Sequence, residues 1–201
     1  MVDNFKKIYK NKKGFTLVEL VIVVPFITII FIFAYNMLFL TQKSFNNVNA
    51  SFDMAEEIRI FQINIQKEAN QAKKAEETKD VINRVSQGEL HIYTDINNDE
   101  IPEIVRYRLD NKKLIRDVKY KKTNIAGYPY AYNSSFENEK VVVNNVINTD
   151  IFGEVEKVRE TKEGEGADYR RKVKMKLKIQ NNSNIVEINT YLITKSRAEA
   201  E

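Results

Sequence analysis

Cysteine is missing from the 201 residues, so neither a disulfide framework nor a thiolate metal site is available, and the redox compartment is left open. Histidine occurs once, at position 91, which removes most metal and acid–base constellations. No nucleophile elbow, P-loop or paired metal-ligand motif is present, so catalysis has no support in the sequence and no cofactor is implied. Between Thr41 and Lys79 there is neither glycine nor proline, so nothing in that stretch interrupts a helix.

What is present is apolar and charged material in globular proportion. Hydrophobic residues make up 43% of the chain and charged residues 30%, enough for a packed core and too apolar for global disorder. The length allows one domain of ordinary size plus a membrane segment. From Leu20 to Leu40 no side chain is charged, which meets the requirement of about 20 residues for a membrane-spanning helix. Lys6, Lys7, Lys10, Lys12 and Lys13 precede that run. By the positive-inside rule they keep the N-terminus cytoplasmic and place everything after Thr41 outside. A secretory signal peptide fits poorly, because its apolar region is shorter, about 7–15 residues, and ends at small residues. A plain signal anchor fits by length and charge.

The residues Lys13-Gly14-Phe15-Thr16-Leu17-Val18-Glu19-Leu20 go further, because an acid stands inside the start of an apolar helix. An ionisable residue there is costly and calls for a partner. The octapeptide resembles the type III signal of prepilins and pseudopilins: a basic residue, Gly, Phe, Ser or Thr, Leu, any residue, then Glu. The resemblance implies cleavage between Gly14 and Phe15 by a membrane prepilin peptidase and N-methylation of Phe15. It also implies pairing of Glu19 with the N-terminal amine of a neighbouring subunit. Gly14 suits a protease cleft because it carries no side chain. The amine freed on Phe15 is cationic, and two charges that are each unfavourable in lipid become satisfied together on assembly. Pro25 departs from the more familiar pilin segments and predicts a kink. The partners implied are other pilin or pseudopilin subunits, the peptidase, an inner-membrane assembly platform and membrane lipid.

Cleavage after Gly14 changes the charge balance. The sequence pI is about 9.0, which by default suggests nucleic acid or an anionic membrane. Residues 1–14 hold five of the 32 basic and one of the 28 acidic side chains, so the processed chain keeps 27 of each. No nucleic-acid partner is expected on charge.

After Thr41, Phe45, Val48, Phe52, Ala55, Ile58, Phe61, Ile65, Ala69 and Ala72 recur every three or four residues, the stripe of an amphipathic helix. It predicts that the membrane helix of residues 15–40 continues over 41–79. Beyond Val81 alternation predicts strands: Leu90–Tyr93, Ile104–Leu109, Lys113–Arg116, Val141–Val143, Lys172–Ile179 and Ile185–Ile193. The expected fold is α+β and pilin-like, a long N-terminal helix against one antiparallel sheet in residues 80–201, outside the cell membrane. Val105-Arg106-Tyr107-Arg108-Leu109-Asp110-Asn111, ahead of Leu114-Ile115-Arg116, weakly resembles minor pilins and J-type pseudopilins. Glu19 argues against the K type, which in the family lacks this acid. The expected role is a filament subunit of a type IV pilus-like or type II secretion-like system. The rival is an unprocessed, membrane-anchored binding domain.

Three further groups have residue types that bear on ligand binding. Asp95, Asn97 and Asp99 have the one-three-five spacing that opens a calcium loop. Glu100 stands where that loop needs glycine and Arg106 where it needs Glu, so a solvated turn is the favoured reading. Lys172, Lys174, Lys176 and Lys178, with Tyr169 and the Tyr128, Tyr130, Tyr132 series, have the residue types of a phosphate-tracking, base-stacking surface; a solvated strand face and an aromatic loop around Gly127 are the favoured alternative. His91 reads as a strand residue.

Overall fold

The computed structural model describes residues 14–75, 80–122, 128–160, 168–181 and 184–195, without the side chains of 160, 168 and 169. The leader up to Lys13, Lys79, Gly127 and the Tyr169 side chain therefore lie outside what is described. The chain divides into two compact units, Met1–Val48 and Asn49–Glu201.

One helix, α1 (Leu17–Asn70), is followed by β1 (Ile82–Ser86), β2 (Glu89–Thr94), β3 (Glu103–Asp110), β4 (Lys113–Lys119), β5 (Glu137–Val143), β6 (Phe152–Glu160), β7 (Asp168–Asn181) and β8 (Asn184–Ile193). The fold class is α+β. In the first unit α1 is exposed throughout its apolar run. Among the described residues it is the one helix long and apolar enough to cross a membrane. The helix runs through Pro25, and Thr28 Oγ1 donates to the Val24 carbonyl at 2.8 Å.

In the second unit the expected single sheet is two. Strands β1 to β5 form an antiparallel meander, and β6, β7 and β8 form a second antiparallel sheet. The two meet where the Gln87 carbonyl accepts from the backbone N–H groups of Ile151 and Phe152. One core joins both sheets to α1: Met54, Ile58, Phe61, Ile65 and Ala69 pack with Leu90, Val105, Tyr107 and Leu114 of the first sheet and Val173, Met175 and Leu177 of the second. The β3–β4 hairpin turns on Asn111 and Lys112, both at positive φ (47° and 62°), the backbone that a two-residue type I′ turn demands.

Two expectations about the helix are corrected. It ends at Asn70, short of Lys79, because the chain changes partner: Ala72 bridges to Thr94, and Lys73 N–H donates to the Tyr93 carbonyl at 2.8 Å. Only the distal part of the stripe is core. Phe45, Val48, Phe52 and Ala55 are exposed, whereas Met54, outside the expected stripe, is buried.

Candidate functional site

The head of α1 gathers the residues that the sequence singles out. Phe15 is 81% exposed, and a Cβ built on Gly14 would meet nothing within 4 Å. Packing among the described residues therefore gives no reason for glycine at 14. Thr16 stands just before the first helical residue, and Glu19 is the third residue of the helix. Thr16 N–H and Thr16 Oγ1 each donate to Glu19 Oε2 at 2.9 Å, while Glu19 N–H donates to Thr16 Oγ1 at 3.2 Å. This is a reciprocal capping box, which satisfies helix-end donors that would otherwise have no partner. Its signature, Thr-x-x-Glu ahead of an apolar run, is legible in the sequence and gives Thr16 a role beyond its position in the motif. The box places a carboxylate at the positive end of the helix dipole, where anions are favoured.

The other candidates are dispersed. The Asp95 to Asp99 segment is a turn held by its own acids. Asp95 accepts from Lys73 Nζ at 2.8 Å and from the backbone N–H groups of Asp99 and Glu100 at 3.2 and 2.9 Å. Asn97 Oδ1 accepts from Asp99 N–H, and Asp99 Oδ1 from Ile101 N–H. Burial opposes ionisation of Asp95, but Lys73 and the backbone donors prevail and hold its carboxyl below the ordinary range. A cation would have to displace Lys73. Among the described residues no group of three or more His, Asp or Glu is placed to hold a metal.

No protein-family model, curated protein or solved structure matches this chain.

The lysine row is largely engaged internally. Lys178 pairs with Glu187 at 2.7 Å and Lys176 with Asp150 at 3.5 Å, and Lys172 Nζ lies 3.9 Å from the centroid of the Tyr191 ring. Tyr128 and Tyr130 stack edge to face on each other, and Tyr132 donates to the Pro102 carbonyl at 2.8 Å. His91 sits beside Glu89 Oε1 at 2.9 Å, and burial pushes its imidazole below the usual range.

Two charged clusters in the second unit carry no sequence motif, and both follow from the β3–β4 register. Arg106 stands opposite Asp117 and Tyr107 opposite Arg116. On one face Arg106 makes a forked pair to Asp117 (2.8 and 2.6 Å), and Arg108 adds contacts to Asp117 (3.4 Å), Asp110 (3.0 Å) and Glu139 (2.7 Å). On the α1 face Tyr107 Oη donates to Glu68 Oε2 at 2.6 Å, and Arg116 Nε to Glu68 Oε1 at 2.8 Å. These clusters tie strands and helix together, and Glu68, Tyr107 and Arg116 line a groove of about 280 Å³ with Lys67 and Lys140. In the Val105–Asn111 segment Arg106, Arg108 and Asp110 are engaged in pairs on the sheet.

Proposed function

We propose that the chain is a structural subunit, a minor pilin or pseudopilin, of a type IV pilus-like or type II secretion-like filament, matured by cleavage after Gly14 and N-methylation of Phe15. The observation that carries the proposal is the Lys13–Leu20 motif at the head of the exposed apolar helix, with Glu19 inside it. Cleavage leaves a cationic amine on Phe15, four residues before Glu19, or roughly 6 Å along a helix axis at about 1.5 Å per residue. In the membrane-resident subunit the Glu19 carboxylate is occupied by Thr16. On assembly it exchanges that local contact for the amine of a neighbour, which fixes the axial register. Before assembly the chain is a single-pass protein of the cell membrane, N-terminus inside. Peptidase, assembly platform, lipid and fellow subunits are its partners.

Because the capping box satisfies Glu19 within its own chain, a second reading stands beside the first: a permanently anchored extracytoplasmic binding domain that is never cut. Mass spectrometry of the N-terminus separates them. The proposal expects a chain beginning at methylated Phe15, and an intact residue 1–14 segment or a cut elsewhere refutes it. Glu19→Ala is expected to be cleaved as usual and to be lost from filaments; undiminished incorporation would end the pairing role.

A further inference from the structure

With β1 and β6 facing each other, β5 and β8 are the two outer strands. Strand β8 lacks the usual protection of an edge. Its ten residues contain no proline and one charge, Glu187, and its pairing with β7 runs without a bulge from Lys172↔Ile193 to Asn181↔Asn184. Long regular edges of this kind add further strands unless blocked. Among the described residues, the block is at the end of β8. Gln66 Nε2 donates to the Ile193 carbonyl at 2.7 Å and Gln66 Oε1 accepts from Ile193 N–H at 3.4 Å, so a side-chain amide imitates one peptide of a missing strand. Outward and inward peptides alternate along an antiparallel strand, so those of Ile185, Glu187, Asn189 and Tyr191 also face outward, away from β7. A groove of about 650 Å³ lies beside the C-terminal end of the strand, lined by Gln62, Ile63, Gln66, Thr190 and Tyr191 among others.

The helix serves as a ruler for strand direction. Asn184 Nδ2 donates to Ser51 Oγ at 3.1 Å and Ile193 meets Gln66, so β8 runs the same way as α1. Asn144 N–H donates to Glu57 Oε1 at 2.9 Å, while Lys140 shares a groove with Lys67, so β5 runs the opposite way. Two copies side by side in one orientation therefore present antiparallel edges, β8 of one to β5 of the other. Pairing β8 with β8 in that arrangement would be parallel and in register and would set Glu187 beside Glu187, which is unfavourable.

We propose that β8 pairs antiparallel with β5 of a second copy of this chain, with Asn189 opposite Glu139 and Glu187 opposite Val141, on the stretch of β5 between its irregularity at Asn138 (φ 55°) and the one before Val143. The faces agree. Val186 and Ile188 pack on the core and Val142 is partly buried against it, while Glu139 lies on the Arg108 side and Glu187 on the lysine side. The charges agree as well: Glu139 approaches the lysine-bearing sheet. The pairing rests on copies sharing one orientation, which membrane anchoring through α1 favours, and it does not require cleavage before Phe15.

The absence of native cysteine makes a disulfide test clean. Full-length Glu139→Cys and Asn189→Cys chains carrying different tags are co-expressed in membranes and oxidised, and uncleaved and processed bands are scored separately, so that a failure of maturation does not hide the pairing. Directly opposed residues lie within disulfide reach. The mixed dimer is expected to accumulate while both single-variant controls stay at background. Asn189→Cys homodimers at an equal level, or no dimer at all, would overturn the proposal.

Discussion

Tyr107 is fully buried, yet its hydroxyl meets a carboxylate, and that pairing decides what its removal does. Burial and then the Glu68 charge push the phenol well above its usual range, so it remains a donor. Tyr107→Phe leaves Glu68 Oε2 without its hydrogen, and the loss of a bond to a charged group is expected to lower stability by roughly 1.5–3 kcal/mol, read as a shift in the denaturation midpoint. His91 gives a pH signature. Its folded pKa is depressed, with burial the main cause and Glu89 opposing. As pH falls below the ordinary value of 6.5, the unfolded chain therefore binds a proton first and stability declines. Below the depressed folded value the loss is complete and flat. Buried Glu103, whose carboxyl burial holds above its ordinary value, contributes with the opposite sign, stabilising at low pH and losing that as pH rises. His91→Gln is expected to remove the His91 slope from a plot of Tm against pH while leaving the Glu103 contribution in place. None of these partners was visible from the sequence: His91 and Glu89 are near neighbours in it, but burial comes from the fold, and Glu68 is 39 residues from Tyr107.

At the scale of elements, alternation and periodicity were legible and contact was not. The stripe from Phe45 to Ala72 takes eight steps over 27 residues, about 3.4 per step, against 3.6 per turn in a straight helix. Such a pattern walks round the helix surface, so its early members leave the core face, and Met54 enters it. Ile58→Ala is accordingly expected to cost about 2–5 kcal/mol, while Phe52→Ala, at a 68% exposed position, should stay within about 0.5 kcal/mol. Chemical denaturation of the two variants checks the contrast. Strand β7 was readable because Val173, Met175, Leu177 and Ile179 alternate without a break. Strand β6 was missed because Phe152, Val155 and Val158 are spaced by three, and the register shift between Phe152 and Val155 absorbs the extra residue. Gly153 sits in that irregularity, where an added Cβ would come within 3.2 Å of Lys174 Cβ. Strand β1 hides in the same way, with Ile82 and Val85 three apart and a shift between Arg84 and Ser86.

For the whole molecule, the distribution of charge bears on partners more than its sum does. Five lysines of residues 1–14 make up the basic excess, and the lysines of β7 largely find partners on Asp150, Glu187 and Tyr191. Sequence-independent attraction to a nucleic acid scales with the cations that are available to neutralise phosphates and weakens steeply with salt. The full chain, with a pI of about 9.0, is therefore expected to retain duplex DNA at low ionic strength through residues 1–14. The chain beginning at Phe15, formally neutral, is expected to retain little or none. A gel-shift titration of both forms over a range of salt checks this. Equal retention would place a basic surface on the folded unit and would mean that the pairs on β7 leave more of its lysine charge exposed than their geometry indicates.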